Sequence, residues 1–286
     1  MGTIGRQELV DTKFSEQSTS VYNLSVLAGT DRLSYFVQDS QHTVILLRSY
    51  DFPERGPSND FAEKIRNVYL QDEWIRLPYK RISFGLLDPI ATLVPGRLYQ
   101  KGMERAYLEA MSQLADSDNL HADFVEPLGL YNAYRVPKGV QELIQKSFEG
   151  ARLYHHHTAL LLAFYKLAAS RSGHRMFLNI RQQWVQIAVF DQRDLLFCNA
   201  FQFQSGKDFI YYVMLTFDQL GLKPEVVPVV LSGQITAQSE NYRLLYRYIR
   251  HLTLVQKPDY LQFGSAFDQL PPHFFFDLYS LQLCAL

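Results

Sequence analysis

The run Arg175-Met176-Phe177-Leu178-Asn179-Ile180-Arg181-Gln182-Gln183-Trp184-Val185-Gln186-Ile187-Ala188-Val189-Phe190 opens the stretch that decides the fold, Arg175 to Ile235. Its apolar residues and short polar breaks predict strands over 175–180 and 184–190, joined by a tight turn. After Asp191-Gln192-Arg193-Asp194, a third strand is expected over 195–203. Lys207 to Leu220 reads as a helix. Ile210, Val213, Phe217 and Leu220 share one face, and Gly221 stands at the C-terminal stop. Val226 to Leu231 is a short, continuously apolar run, the pattern of a strand buried on both faces. It ends in Ser232-Gly233-Gln234.

Working outward, helix signals cover 240–250 and 274–283, with a strand candidate at 252–256. The last helix is expected to cover the second sheet. Upstream, three strand candidates lie at 22–27, 32–38 and 43–50, separated by Gly29-Thr30-Asp31 and Asp39-Ser40-Gln41; Pro53, Gly56 and Pro57 end this meander. A helix follows from Asn59 to Ile75, with Ser58 or Asn59 as its cap and Asp60 in its first turn. Phe61, Ile65, Val68, Asp72 and Ile75 fall on one face, all apolar but Asp72. Strands are expected at 79–87, 91–94, 130–136 and 152–155, and helices at 103–114, 137–148 and 158–172. The two halves share no obvious residues, only the order of their elements. Three antiparallel strands followed by alternating helix and strand give a mixed sheet with helices on its faces. The division expected is a flexible leader over 1–20, a first domain over 21–148 and a second over 149–286.

Composition bounds what such a chain can do. Its 286 residues exceed one average domain, and 47% are hydrophobic, enough for real cores. A net charge of −1 supplies no global field for nucleic acid or anionic lipid. The longest apolar run, Thr158 to Tyr165, stops at Lys166, far short of the ~20 residues a membrane span needs. The cysteines, Cys198 and Cys284, form neither a metal spacing nor a disulfide framework. The N-terminal residues lack an apolar signal core. A cytoplasmic protein without a transmembrane segment is expected.

The paired order resembles the actin-like ATPase superfamily: two tandem ribonuclease-H-like domains, α/β, with mixed sheets flanked by helices and a cleft between lobes. The whole chain is also similar to the bacterial domain-of-unknown-function family 3822, on Ala91-Thr92-Leu93-Val94-Pro95 and on length. The superfamily resemblance implies ATP held by two Asp-x-Gly turns and a Gly-Gly turn. There the Asp positions Mg2+ and the glycines let backbone N–H groups approach phosphate. In this chain the first turn keeps Gly29 and Thr30 but has Leu27 at the acid position. The second has Asn179 for the acid and Arg181 for the glycine. The adenosine turn keeps one glycine, Gly233, followed by Gln234, and Gly206 survives before the second-half helix. Arg181 blocks close backbone approach, while its cation is suited to meet an anion directly. These residues are the candidate degenerate ligand site.

Other signals have plainer readings. Gly206-Lys207 is not a P-loop, since Phe201 and Asp208 stand where glycine and Ser or Thr belong. Ser232 lacks a nucleophile elbow around it. Asp116, Asp118, Asp123 and Glu126 read as a solvated loop. His155-His156-His157 invites a metal site, but successive residues alternate on a strand and spread about 100° apart on a helix, so the rings are expected to diverge. They read as polar residues at a domain junction.

The expectation is a non-catalytic binding or scaffold module, a pseudo-ATPase with no catalytic residues, no metal and no required cofactor, working with an unidentified protein partner. The second reading keeps ATP or another anionic small ligand with little or no hydrolysis. A third, an RNA- or ribosome-associated factor, rests on fold ancestry alone; nucleic acid is not the expected partner.

Overall fold

The alternating and continuous apolar runs become strands, and the 3.6-periodic runs become the helices that cover them. The structure, a computed structural model, describes residues 5–52 and 58–285; the expected breakers Pro53, Gly56 and Pro57 and the cap side chains at 58–60 lie outside what it describes. The chain divides into two compact units. The first takes residues up to 160, with 259–269 and those from 278 onward; the second takes 161–258 and 270–277.

In chain order the first unit begins with β1 (Gly5–Val10), β2 (Asn23–Ala28), β3 (Arg32–Gln38), β4 (Thr43–Asp51), α1 (Ser58–Gln71) and β5 (Arg81–Leu86). It continues with β6 (Ala91–Pro95), α2 (Glu104–Glu109), β7 (Asn119–Val125), β8 (Leu130–Val136), α3 (Lys138–Ser147) and β9 (Arg152–His155). The helix α4 (His156–Ala169) begins in the first unit and ends in the second. Then come β10 (His174–Arg181), β11 (Trp184–Asp191), β12 (Asp194–Gln202), α5 (Gly206–Gln219), β13 (Val229–Gly233), α6 (Glu240–Tyr248) and β14 (Leu252–Leu254). β15 (Gln262–Phe263) returns to the first unit, and α7 (Phe276–Cys284) follows.

The duplicated order is present in the hydrogen bonding. The first sheet runs β1-β4-β3-β2-β5-β9, with β15 also on β4; the second runs β12-β11-β10-β13-β14. In each frame an antiparallel meander is extended by parallel strands: β2 pairs β5 and β5 pairs β9, as β10 pairs β13 and β13 pairs β14. A separate small sheet, β6-β8-β7, belongs to the first unit.

The first core forms on the expected face of α1. Phe61, Ile65, Val68 and Ile75 are at most 3% exposed, each contributing roughly 1.5–3 kcal/mol by leaving water. α1 ends at Gln71, short of the expected Ile75, which lies in a separate 3-10 turn (Trp74–Arg76); Asp72, just past the helix, is equally buried and fully partnered. It accepts from Tyr35 and Tyr50 hydroxyls at 2.6 Å, from Arg48 Nη1 at 2.6 Å and from the Trp74 backbone N–H at 2.9 Å. Burial pushes its pKa up, but the tyrosine hydrogen bonds and the Arg48 charge outweigh that and hold it below the usual carboxylate value.

Four expectations are corrected. Residues 5–10 of the leader are a strand, paired with β4 along Gly5↔Asp51 to Val10↔Leu46; backbone bonding to an open edge orders a segment too polar to announce itself. β7 occupies part of the stretch read as an acidic loop. The units do not follow a single cut after residue 148. The last helix covers the first sheet: Tyr279 packs edge-on to Phe36 with centroids 5.7 Å apart, and a Cβ on Gly85 would lie 2.7 Å from Leu281.

Candidate functional site

The second-half turn is built where β10 and β13 end side by side. Asn179 is paired with Ser232, and Ile180 with Gly233. Gly233 has φ +88°, and a Cβ there would lie 2.2 Å from the Ile180 carbonyl oxygen, so only glycine fits. Its N–H donates to the His273 carbonyl at 2.7 Å, and the Gln234 N–H donates to the Ile180 carbonyl at 2.6 Å. His273 Nε2 donates to the Ile235 carbonyl at 2.7 Å, which fixes its tautomer. Arg181 Nη1 meets Asp277 Oδ2 at 2.6 Å, with side-chain exposures of 9% and 5%. The backbone donor and the cation that an anion would seek are both engaged by residues of the 270–277 segment.

Asn179 contributes differently. It is 3% exposed, and its Oδ1 has no hydrogen-bond partner. A Cβ on Gly233 would sit 2.5 Å from that oxygen. A buried, unsatisfied amide oxygen costs about 1–3 kcal/mol. Ser232 is buried, with its hydroxyl donated to the Leu178 carbonyl at 3.2 Å. Nothing in that geometry makes it a nucleophile.

The remaining candidates have local settings of their own. Gly29 closes the β2–β3 hairpin, its N–H donating to the Arg32 carbonyl at 2.8 Å, while Thr30 is exposed. Leu27, at the expected acid position, is 2% exposed and part of the core. Both Gly29 and Thr30 belong to the first unit. Gly206 opens α5, where Ser205 and Asp208 form a reciprocal capping box. A Cβ on Gly206 would lie 2.7 Å from Leu244 Cδ1 and 2.9 Å from Glu240 Oε1, so this glycine allows close packing of α6. Of the sequence candidates in the second unit, Asn179, Arg181, Gly233 and Gln234 come together, while Gly206 packs against α6; Gly29 and Thr30 belong to the β2–β3 hairpin of the first unit.

The three histidines overturn the expected divergence. Their ligand atoms all lie within 4.8 Å of one another, and all three residues are buried. The reason is local: the run straddles the junction at which β9 ends with His155 and α4 starts with His156, so neither strand alternation nor helical rotation applies throughout. Around them lies a buried polar network. Asn132 Nδ2 approaches His155 Nδ1 at 3.2 Å and donates to Thr158 Oγ1 at 3.0 Å. Asp123 Oδ2 accepts from the His155 backbone N–H and the Thr158 hydroxyl, each at 2.8 Å. Burial raises the Asp123 carboxyl to about 6. The loop reading of Asp123 is thereby corrected; Asp118 does serve a local turn, accepting from the Ala115 N–H at 3.0 Å.

Comparison with known proteins gives the family. The family described as Protein of unknown function (DUF3822) matches residues 11–252, and the chain belongs to it. Among curated proteins no significant match is found. A solved structure from Bacteroides thetaiotaomicron VPI-5482, a protein with actin-like ATPase fold and unknown function, is similar at TM-score 0.78 and 17% identity, covering 95% of this chain and 99% of that one. The PilM–PilN type IV pilus biogenesis complex contains a chain similar at TM-score 0.62 and 16% identity, covering 91% and 97%. The fold is therefore the actin-like ATPase fold. Among the described residues no helix is long and apolar enough to cross a membrane.

Proposed function

We propose that this member of the family is a non-catalytic actin-like protein that works as a binding or scaffold module for another protein. The observation that carries the reading is the Arg181–Asp277 ion pair at 2.6 Å. A buried pair of this kind costs about 3–5 kcal/mol to break by loss of one partner, so Arg181 is a poor phosphate ligand. The Gly233 N–H, already donated to the His273 carbonyl, supports the same reading. Neither Leu27 nor Asn179 supplies the carboxylate that Mg2+ chemistry needs. The PilM relative, solved in a complex with PilN, is a precedent for partner binding on this fold. The protein is expected to work in the cytoplasm of a bacterium.

Isothermal titration with Mg-ATP, paired with a phosphate-release assay, is the direct test. The expected result is neither micromolar binding nor turnover. Micromolar binding with hydrolysis, lost in Gln234→Ala, would overturn the proposal. A native pull-down followed by binding to the purified partner is expected to identify a protein.

A second reading rests on Asn179 Oδ1. A small anionic ligand with a hydrogen-bond donor, ATP among them, would satisfy that orphan acceptor without Mg2+ chemistry. In that case titration without Mg2+ gives saturable binding that Asn179→Leu abolishes.

A further inference from the structure

The buried histidine cluster in the first unit is used by none of the chemistry above. Three consecutive histidines at a strand–helix junction point their rings at one another, with centroids 4.8, 4.7 and 4.3 Å apart for the pairs 155–156, 155–157 and 156–157. Exposure is 0% for His155 and 7% for each of the other two. Packing three imidazoles together away from water is costly unless their nitrogens are used.

The tautomer of His155 follows from its partners. Its Nε2 lies 2.8 Å from the Asp88 backbone carbonyl. A carbonyl only accepts, so Nε2 carries the hydrogen and Nδ1 carries the lone pair. That is the arrangement of a metal-ligating histidine, with the far N–H fixed by a backbone carbonyl and the near nitrogen basic. The contacts competing for Nδ1 are long: Asn132 Nδ2 at 3.2 Å and the His157 backbone N–H at 3.3 Å. Asn132 Nδ2 keeps its second partner, Thr158 Oγ1, if the first is displaced. His157 Nε2 is buried with no hydrogen-bond partner at all.

We propose that His155, His156 and His157 form a binding site for one divalent transition-metal ion of the imidazole-preferring kind, zinc first among them. Three neutral imidazoles are a sufficient protein ligand set for zinc, with a fourth position left open. Nitrogens around tetrahedral zinc sit about 2.0–2.1 Å from the ion and hence about 3.3 Å from one another. The present separations, all within 4.8 Å, close by at most about 1.5 Å, within reach of small side-chain rotations. The N-terminal end of α4 opposes a cation only weakly beside metal–imidazole bonds. Asp123, hydrogen-bonded to His155 and Thr158, lies in the same network to balance the charge.

The test is cobalt and zinc binding to the full chain after chelator treatment. Cobalt(II) is expected to bind about one equivalent, with visible d–d bands of a nitrogen-rich site of low coordination number, and zinc is expected to displace it. His157→Gln, checked by circular dichroism for folding, should weaken binding about 100-fold or more. Equal affinity in a folded His157→Gln protein would overturn the proposal, as would the absence of saturable cobalt binding. X-ray absorption of the zinc-loaded wild-type chain does not depend on any variant folding. Three imidazoles in its first coordination sphere support the site, and fewer than three sink it, since among the described residues these three histidines are the group placed to hold an ion.

Discussion

The two sheets share a frame and treat its outer edge in opposite ways. On β4 that edge is taken by β1 and β15; on β12 it has no strand among the described residues. β4 is accordingly buried from Thr43 to Tyr50, and β12 has only exposed and half-buried residues along its length. The polar interiors differ too. In the first unit the charge lies over the middle of the sheet, where Asp72 collects Tyr35, Tyr50 and Arg48. In the second it lies at the turn end, in Arg181 and Asp277. One backbone order therefore carries unrelated chemistry, and the frame by itself says nothing about whether a nucleotide is held.

That contrast is easiest to break at its edges. Leu47→Lys on β4 puts a charge at a position with 0% exposure and should cost about 4 kcal/mol or more, enough to prevent folding. A soluble, cooperative urea transition for this variant would show that β1 covers less than its pairing implies. Next in size is Arg181→Ala, expected to lose about 3–5 kcal/mol by removing the buried cation that faces Asp277. The pair Arg181→Met with Asp277→Leu should recover most of it, and urea midpoints read both.

Asp72→Asn tests the first unit's network and should cost about 3 kcal/mol at neutral pH, because Arg48 loses its buried partner. The native carboxyl titrates below its ordinary value of 3.8. Its contribution is therefore complete above that value and is lost as pH falls through the lower, folded value. Urea midpoints measured from pH 7 down to pH 3 should fall more steeply in the wild type than in Asp72→Asn. The smallest effect belongs to the open edge. Leu196→Lys on β12, at a residue 43% exposed, should shift stability by no more than about 0.5 kcal/mol. A loss like that of Leu47→Lys would mean the two edges are equivalent after all.

What could be read in advance follows from how each element is stabilised. Side-chain periodicity marks α1 and carries on past its end to Asp72 and Ile75, and it marks the β2–β4 and β10–β12 meanders. β15 and β1 are held by backbone pairing to a neighbour; a two-residue strand and the polar Gly5–Val10 carry no such signal. The candidate turn was legible as residue types, with Asn179 and Arg181 at odds with a nucleotide site. The partner of Arg181 lies 96 residues away in sequence and could not be. The convergence of the histidines leaves no periodic signal, because the strand period ends at His155 and the helical one starts at His156.

The return of β15 and α7 to the first sheet has a consequence for how the protein is made. Residues 23–86 build most of that sheet early, but Leu281, which fills the space over Gly85, emerges only after the second unit has been synthesised. At about 5–20 residues per second, the roughly 120 residues between 160 and 281 take about 6–25 s. Throughout that interval Phe36 lacks Tyr279 and the first sheet has an uncovered apolar face. During translation, then, the first half waits for the last helix with that apolar face still open.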